Sequence, residues 1–427
     1  MSKKLDKKVP VLRFPEFSES WLIKSVSELV TENLIYKPLD GNHGNLHPTS
    51  FDYVKSGIPF VMSNDIQDGV INYSKCHYIS EDLAKSLQKG FSKEGDVLLT
   101  HKGTVGEVAI VGKTPFPFIM LTPQVTYYRV KNPKLLSNLF LVSFFTSYNF
   151  QKMLKVLAAG GTRPYIGITE QGKLKISIPS VKEQEKIASF LGAIDTRLTQ
   201  LRRKHQLLQT YKRGVMQKIF SQQIRFRGAS GSEFPEWEEK KLGKICEITS
   251  SKRVYLNDYV KEGIPFYRGK EITELKKNIQ PSDILYITEE KYIEFKDNYG
   301  VPVVGDILVT AVGTLGNVLQ VRNNEKFYFK DGNLIWLRRF GKNINADFLE
   351  ILLENSKKQL IETSIGSTQK ALTIIELKKI NLSFPSIEEQ EKIADFLTAI
   401  DKKIEAIAQQ IELTKQFKKG LLQKMFI

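Results

Sequence analysis

The sequence predicts an α+β (mixed α/β) fold of two tandem domains. Two long helices are expected to pair as an antiparallel intramolecular coiled coil and to give the chain pseudo-twofold symmetry. Three observations support this prediction. Residues 178–220 match residues 384–426 without a gap, shorter landmarks recur upstream of both copies, and both copies carry apolar residues at heptad spacing. The chain is therefore predicted to consist of two halves with the same domain organisation.

The copied segment contains EQEKIASFLGAID at 183–195 and EQEKIADFLTAID at 389–401. Each copy begins with Pro-Ser and places acidic residues in the next turn, which is typical of a helix start. We expect the two apolar stripes to form the seam of the coiled coil, although one helix packed on its own domain is an alternative. The stripes consist of Ile187, Leu191, Ile194, Leu198, Leu201, Leu208, Val215 and Ile219 in the first copy and Ile393, Leu397, Ile400, Ile404, Ile407, Ile411, Leu421 and Met425 in the second.

The stretch before each helix predicts a mixed α/β domain. Runs of β-branched residues such as DVLLT and DILVT, bounded by glycine, predict strands. Residues 135–157 and 346–364 have the length and apolar spacing of helices. The recurring landmarks are FPEF (14–17) with FPEW (234–237), SGIPF (56–60) with EGIPF (262–266), and GDVLLTHKGTVGEVAIV (95–111) with GDILVTAVGTLGNVLQV (305–321).

These landmarks divide the chain into five predicted segments. The segment after the first helix combines basic residues with Gly and Ser, which is typical of a linker. The predicted segments are a first domain (1–178), a first helical region (179–221), a linker (222–232), a second domain (233–384) and a C-terminal helical region (385–427).

Composition indicates a polyanionic partner. The chain has 427 residues, with 63 Lys and Arg against 47 Asp and Glu, a formal charge of +16 and a pI of about 9.4. Such a charge favours nucleic acid, because each neutralised phosphate releases counterions, although a basic surface kept for solubility is an alternative. No apolar run reaches the roughly 20 residues of a membrane span, and two isolated cysteines support no disulfide framework. We expect a cytoplasmic protein with no membrane partner.

Motifs for catalysis and metal binding are incomplete. GEVAIVGKT at 106–114 has the wrong glycine spacing for a phosphate-binding loop. Asp283 with EEK at 289–291 resembles part of a nuclease site, but the first half has no equivalent lysine. A zinc tetrad from His43, His47, Cys76 and His77 would have no counterpart in the second half. We therefore predict no catalytic residue and no metal site.

Two loops recur at matching places and are the candidate DNA-binding elements. THKGTVG (100–106) corresponds to TAVGTLG (310–316), and GGTRPYIG (160–167) to GSTQKALT (366–373). Glycine permits close backbone approach, while hydroxyl, amide and basic side chains bind phosphates and base edges. A hairpin turn with a capping loop is the alternative. The candidate residues are Lys102, Thr104, Thr162, Arg163, Tyr165, Arg253, Arg268, Lys270, Thr314, Ser367, Thr368, Gln369 and Lys370.

This arrangement resembles the specificity (S) subunit of type I restriction–modification enzymes. The likeness covers nearly the whole chain, and the pattern P-S-x-x-E-Q-E-K-I-A-x-F-L-x-A-I-D occurs twice. GSTQ at 366–369 also matches the usual loop of the family, whereas the first half departs to GTR at 161–163. A recognition fragment of a single-chain restriction enzyme, and a scaffold that binds no DNA, are the alternatives.

The resemblance implies that each target-recognition domain reads one half of a bipartite, asymmetric double-stranded DNA target. The helices would set the spacer and recruit two methyltransferase (M) subunits, which carry S-adenosylmethionine and modify adenine N6. Two restriction/motor (R) subunits would cleave unmodified DNA with ATP and magnesium, so this subunit itself would be non-catalytic and bind no cofactor. The candidate methyltransferase interface comprises Glu183, Gln184, Lys186, Asp195, Glu389, Gln390, Lys392 and Asp401.

Overall fold

The computed structural model describes residues 9–159, 164–366 and 370–427. Two compact units divide the chain. Unit 1 comprises the residues up to Arg203 together with Ala408–Ile427, and unit 2 comprises Lys204–Ile407. Each unit therefore holds one α/β domain and part of each long helix. The mixed α/β class with two tandem domains and two long helices is confirmed.

Unit 1 contains a five-stranded sheet, a three-stranded sheet and two short ladders. Its strands are β1 (Leu22–Ser25), β2 (Tyr53–Val54), β3 (Ile58–Val61), β4 (Ile66–Gln67), β5 (Val70–Ile71), β6 (His77–Ile79), β7 (Phe91–Ser92), β8 (Val97–Lys102), β9 (Thr104–Ile110), β10 (Ile119–Leu121), β11 (Val125–Tyr128) and β12 (Lys175–Ile178). The larger sheets have the strand orders β2-β6-β3-β10-β7 and β11-β8-β9. Its helices are α1 (Val26–Thr31), α2 (Glu81–Ser86), α3 (Asn138–Phe145), α4 (Tyr148–Ala158), α5 (Ile168–Lys173) and the first part of α6 (Val181–Phe220).

Unit 2 contains two four-stranded sheets and one two-stranded ladder. Its strands are β13 (Glu238–Lys241), β14 (Glu247–Thr249), β15 (Tyr259–Val260), β16 (Ile264–Tyr267), β17 (Leu285–Ile287), β18 (Ile307–Thr310), β19 (Val318–Gln320), β20 (Tyr328–Phe329), β21 (Leu334–Arg338) and β22 (Asn381–Phe384). The larger sheets have the orders β15-β17-β16-β20 and β14-β21-β18-β19. Its helices are α7 (Leu242–Ile245), α8 (Gly269–Lys276), α9 (Glu289–Tyr299), α10 (Ala346–Asn355), α11 (Lys357–Glu362), α12 (Ile374–Lys379) and the first part of α13 (Ile387–Lys424).

The recurring Gly-Ile-Pro-Phe landmark marks a close backbone approach in each unit. A Cβ on Gly57 would lie 2.2 Å from the carbonyl oxygen of Ile79, and one on Gly263 would lie 2.3 Å from that of Ile287. Only glycine fits where two strands approach this closely. The landmark therefore recurs because it is needed to build the sheet.

The first strand of each domain pairs with the strand that leads into the long helix. Leu22 of β1 lies opposite Ile178 of β12, and Glu238 of β13 lies opposite Phe384 of β22, both in antiparallel ladders. This pairing closes each domain on itself before the helix begins. The helices start where the repeated Pro-Ser predicts: Ser386 Oγ accepts a hydrogen bond from the backbone N–H of Glu389 at the start of α13.

In each unit, the start of one long helix packs against the end of the other. In unit 2, Lys212 pairs with Asp401 at 2.6 Å and Arg225 pairs with Glu389 at 2.8 Å. From the first pair to the second, the residue number rises from 212 to 225 on one side and falls from 401 to 389 on the other. The two segments therefore run antiparallel. In unit 1, Lys418 pairs with Asp195 at 2.5 Å.

The predicted role of the apolar stripe needs a correction. Ile187 and Leu191 belong to the core of unit 1 together with Trp21 and Phe140 of the α/β domain. The first turns of each long helix therefore complete the core of the preceding domain, and only part of the stripe serves contact between helices. Unit 1 places Leu421, Met425 and Phe426 of α13 in the same core, and unit 2 places Ile219 of α6 with Ile393, Leu397 and Ile400.

Candidate nucleic-acid interface

In unit 1, the two predicted DNA-binding loops lie side by side. Lys102 forms an isolated antiparallel bridge with Tyr165, and the N–H of Ile166 donates to the carbonyl of His101 at 2.9 Å. The N–H of Gly103, whose φ is +79°, donates to the carbonyl of Pro164 at 3.3 Å. Elements about 60 residues apart in sequence thus form one surface.

The side chains that this surface presents are basic, hydroxyl and aromatic. Lys102, Thr104 and Tyr165 are all exposed. The ammonium of Lys102 lies 5.9 Å from the centre of the Tyr165 ring, a cation–π distance. A lysine, a hydroxyl and a flat aromatic ring can bind a phosphate and stack on a base or sugar.

A buried histidine supports this surface, and the sequence did not single it out. His101 is about 1% exposed, and its Nδ1 lies 3.0 Å from the carbonyl oxygen of Ile166. Its ring centre lies 5.8 Å from that of Tyr165, while Nε2 has no hydrogen-bond partner among the described residues and faces Asp40 at 4.0 Å. Burial lowers the pKa of His101 to about 4, so the ring is neutral near pH 7.

Asp40 is the centre of a charged cluster beneath the loops. Its carboxylate accepts from Lys89 at 2.5 Å and lies 2.7 Å from Nε2 of His43. Burial by itself would raise the pKa of Asp40, but the contacts with Lys89 and His43 outweigh it, and the net pKa is lowered. The carboxylate therefore stays ionised under the two candidate DNA-binding loops.

Unit 2 repeats the backbone arrangement with other side chains. Val312 forms a bridge with Ala371, and the N–H of Leu372 donates to the carbonyl of Ala311 at 2.9 Å. Thr314 and Lys370 are both exposed on these two loops. The loops of unit 2 therefore meet as those of unit 1 do, with Ala311 and Val312 in the places of His101 and Lys102.

The other basic candidates of unit 2 have partners within the chain. The guanidinium of Arg268 bonds to Glu271 at 2.5 Å and to the carbonyl of Asp283 at 2.9 Å, which commits it to the start of α8. Arg268 is half-buried, and its DNA-binding role stays a prediction. Arg253 pairs with Asp331 at 3.0 Å and Lys270 pairs with Glu274 at 3.9 Å, yet both stay exposed.

Sequence reasoning missed a polar relay beside the 310–316 loop. The ammonium of Lys357 donates to Asn317 at 2.6 Å, and Asn317 donates to Thr273 at 2.9 Å. Burial, with a smaller contribution from the nearby Lys276, lowers the pKa of Lys357. Lys357 lies in the helix that the sequence predicts at 346–364. The sequence alone therefore does not show that it contacts the loop.

Five of the candidates lie outside the described residues. They are Thr162, Arg163, Ser367, Thr368 and Gln369. Their DNA-binding role stays a prediction.

The repeated glutamate at the start of α6 has a buried, internal role. Glu183 is about 1% exposed and accepts two hydrogen bonds of 2.7 Å from Arg13. The indole N–H of Trp21 donates to the same carboxylate at 3.2 Å. The carboxylate thus fastens the segment before β1 to the start of the helix.

Unit 2 has the equivalent cluster. Arg225 donates to Glu389 at 2.8 Å, and the indole N–H of Trp237 donates to it at 3.3 Å. By these contacts Trp237 corresponds to Trp21, whereas Phe234 of FPEW corresponds to Phe14 of FPEF in lying under the repeated lysine. The segment between the arginine and the tryptophan is longer in unit 2.

The repeated glutamine is equally internal. Gln184 accepts from the N–H of Ser137 at 2.9 Å and donates to the carbonyl of Pro179 at 2.9 Å. Gln390 accepts from the N–H of Asn345 at 3.0 Å and donates to the carbonyl of Pro385 at 2.9 Å. Each amide joins the start of a long helix to the loop before α3 or α10.

The predicted methyltransferase interface is therefore corrected for four of its eight residues. Glu183, Gln184, Glu389 and Gln390 are buried and present no surface to a partner. The other four also contact the chain itself but keep exposed surface: Lys186 lies over Phe14, Lys392 lies over Phe234, Asp195 pairs with Lys418 and Asp401 pairs with Lys212.

Across residues 9–159, 164–366 and 370–427, no group of three or more His, Cys, Asp or Glu is placed to hold a metal ion. His77 stacks on Tyr53 with ring centres 4.3 Å apart, and Cys76 is buried. Burial raises the pKa of both Cys76 and Cys246 to about 12. The zinc tetrad considered from the sequence is not assembled among these residues.

Comparison with known families decides what this architecture belongs to. The family model described as "Type I restriction modification DNA specificity domain" matches residues 42–209 and again residues 235–415. The chain belongs to this family. The two matches correspond to the two halves, so this specificity subunit carries the family domain twice.

Curated relatives extend over almost the whole chain. A putative type I restriction enzyme MjaX specificity subunit of Methanocaldococcus jannaschii is 26% identical over 97% of this chain and 94% of its own length. The MjaVIII specificity subunit of the same organism is 24% identical over 87% and 88%. A putative specificity subunit of Haemophilus influenzae is 25% identical over 88% and 90%.

Solved structures support the fold. The S subunit of a type I restriction–modification system from M. genitalium has a TM-score of 0.59 at 17% identity and covers 98% of this chain and 99% of its own. A second, from a study of assembly and conformational transition of the type I system, has a TM-score of 0.56 at 18% identity, with 95% and 97% covered. Within the described residues, no helix is long and apolar enough to cross a bilayer.

Proposed function

We propose that this specificity subunit reads a bipartite, asymmetric double-stranded DNA target, with one half-site read by each recognition domain. The observation that carries this proposal is the loop pair present in each unit. The backbone bridge is the same in both, while Lys102 and Tyr165 in unit 1 correspond to Val312 and Ala371 in unit 2. Different side chains on one scaffold read different bases.

The charge of the chain supports duplex DNA as the ligand. A formal charge of +16 attracts the phosphate backbone and supplies the sequence-independent part of the affinity. Lys102 and Lys370 are exposed on these loops, where an ammonium group can contact a phosphate. Base contacts by neighbouring hydroxyl and aromatic groups then add specificity.

The long helices are proposed to set the spacer and to recruit the partner subunits. Helix α6 has 40 residues and is therefore about 60 Å long. Half-sites on one face of B-DNA lie roughly 34 Å apart, a separation that a helix of this length can span. Because the helix is present twice, two copies of one methyltransferase subunit are the expected partners.

In this proposal, chemistry belongs to the partners. Methyltransferase subunits carrying S-adenosylmethionine methylate adenine N6, and two motor-nuclease subunits use ATP and magnesium to cleave unmodified DNA. This subunit supplies recognition and binds none of these cofactors. Its own loops and helices position the DNA and the enzymes.

Single-molecule methylation sequencing of a host with and without this gene tests the proposal. We expect deletion to remove one methylated adenine motif with two unlike halves and a fixed spacer. An unchanged methylome in a host that still expresses the methyltransferase subunit would overturn it.

A further inference from the structure

One loop of unit 1 is longer than its counterpart in unit 2. Leu39 and Thr249 begin the two segments at equivalent places, since each pairs with the strand that lies beside β8 or β18. Asp52 and Asp258 end them, each accepting a hydrogen bond from the backbone N–H three residues earlier. Twelve residues lie between these landmarks in unit 1 and eight in unit 2. We call residues 41–48, which hold the additional length, the third loop.

The tip of the third loop presents hydrogen-bonding side chains to solvent. Gly44–Leu46 form a single 3₁₀ turn, and His43 precedes it. Asn45, at the centre of the turn, is exposed, and the side chain of His43 is 50% exposed. An asparagine amide can both donate to and accept from the edge of one base, and an imidazole N–H can donate to a phosphate. The tip therefore carries groups of the kind that read bases directly.

The base of the third loop is buried and held by hydrogen bonds. Asn42 is about 3% exposed, and its side-chain amide donates to the carbonyl of Lys89 at 2.6 Å. The side-chain oxygen of Asn42 accepts from the N–H of Gln88 at 3.2 Å. The buried carboxylate of Asp40 contacts both His43 and Lys89. Buried polar contacts of this kind hold an exposed side chain in one place before a ligand binds.

The third loop adjoins the two candidate DNA-binding loops of unit 1. The oxygen of Asp40 that contacts His43 also faces Nε2 of His101 at 4.0 Å. His101 lies in β8 directly before Lys102. Burial, with smaller contributions from the neighbouring His43 and Lys102, lowers the pKa of His47. The three loops therefore lie around one buried cluster.

Unit 2 has other residues at these places. Ser250 stands in the place of Asp40, and Ala311 stands in that of His101. The hydroxyl of Ser250 donates to the carbonyl of Leu334 at 3.3 Å, within its own sheet. The acid, the buried histidine and the additional loop length thus occur together in unit 1 and are replaced together in unit 2. Their joint presence indicates one function for the three features.

We propose that the third loop is an additional base-reading element of unit 1, in which Asn45 contacts the edge of one base. This inference rests on the proposed function. Asp40 and Asn42 are positioning residues, because they hold the loop without reaching its exposed tip. The half-site read by unit 1 therefore contains one position whose identity depends on the third loop.

The exposed chemistry of the loop favours DNA over a protein partner. Leu46 is the one large apolar side chain of residues 41–48, which is less than the core of a protein interface buries. The amide of Asn45 lies in a loop that adjoins the basic Lys102, and duplex DNA offers base edges beside phosphates.

The test is single-molecule methylation sequencing of a host that carries the full chain with its partner subunits. Lys102→Ala with Tyr165→Ala first identifies the half-site of unit 1. Asn45→Ala should then reduce the preference at one position of that half-site about tenfold. Every other position, the second half-site and the spacer should stay unchanged, which also shows that the variant folds.

A positioning variant and a matched control sharpen the result. Asn42→Ala removes the anchor of the loop and should relax the same position as Asn45→Ala, although Asn42 is buried. Asn132→Ala is the control. β11 begins opposite Thr100, beside the loops, and ends at Tyr128, so Asn132 lies beyond the far end of this strand. The control should leave the whole motif unchanged.

The outcomes separate this inference from the proposed function. If Asn45→Ala leaves the motif unchanged while Lys102→Ala with Tyr165→Ala relaxes one half-site, the third loop does not read DNA and the proposed function stands. Relaxation of the second half-site by Asn45→Ala, or a uniform loss of methylation without a change in preference, would also overturn the inference. An unchanged methylome after deletion of the gene would refute the proposed function and the inference with it.

Discussion

The candidate DNA-binding loops of the two units share a backbone bridge but rest on different side chains. In unit 1, the loop pair rests on the buried His101 and on the charged cluster around Asp40. In unit 2, Ala311 stands in the place of His101, and a relay from Lys357 to Asn317 lies beside the loop. A bridge made by backbone groups tolerates these changes, so each recognition surface can diverge without losing its scaffold.

The starts of the two long helices, by contrast, keep the same buried side chains and the same contacts in both units. Glu183 and Glu389 each accept from an arginine and an indole, and both are buried. A buried carboxylate needs all its donors at once, so neither the residue nor its partners can change alone. At the helix starts, identity between the two copies marks internal contacts, whereas the candidate DNA-binding loops keep their backbone bridge and differ in side chains.

The largest expected effect comes from breaking these fastenings. Glu183→Ala should destabilise unit 1, and Glu389→Ala unit 2, each by about 4 kcal/mol, because an arginine and an indole lose their buried partner. Hydrogen exchange resolved by peptide, combined with urea unfolding, would locate the effect. Glu185→Ala and Glu391→Ala, on exposed neighbours in the same turn, should change little. Equal losses in these controls would contradict the assigned role.

A pH effect should distinguish the two units. The folded pKa of His101, about 4, lies below its ordinary value of 6.5, so the unfolded chain takes up the proton first. Stability from this group is complete above pH 6.5 and is lost as the pH falls towards 4, by up to about 3 kcal/mol. In a His101→Asn variant, unit 1 should lose much less stability between pH 7 and pH 4.5 than it does in the parent. Hydrogen exchange of the unit 1 peptides would measure this difference. The same slope in parent and variant would refute the assignment.

A substitution in the loops of one unit should weaken the binding of one half-site of the DNA. Lys102→Ala in unit 1 and Lys370→Ala in unit 2 should each weaken binding about tenfold and reduce the salt slope by about one. Arg163→Ala, at a position outside the described residues, is expected to act on the first half-site as well. Fluorescence anisotropy with duplexes altered in one half-site would measure this. Normal affinity and methylation in all three variants would make these loops structural.

The smallest expected effect is a gain in the stability of each unit. Gly214→Ala in unit 2 and Gly420→Ala in unit 1 should each stabilise their unit by about 0.5–1 kcal/mol, because the added methyl group has open space. Thermal unfolding of the chain without partners would measure it. Destabilisation would mean that the chain itself needs these glycines.

Local patterns predicted much of this fold from the sequence. The long helices and the two-domain plan follow from heptad spacing and exact repeats, which need no knowledge of distant contacts. The meeting of the two loops within each unit was not predicted, because the sequence shows only that each loop recurs at a matching place in the other half. The burial of Glu183 could not be predicted, because it depends on Arg13 and Trp21, more than 160 residues away. His101 was missed because its polar ring faces the interior from a strand.

The most direct test of the central claim, one half-site per recognition domain, is the methylated motif left by variants of a single unit. A chain carrying Lys102→Ala and Tyr165→Ala should show relaxed sequence preference in one half of the motif, with the other half and the spacer unchanged, in single-molecule methylation sequencing. Lys370→Ala should relax only the other half. Relaxation of both halves together by variants of one unit would contradict the claim.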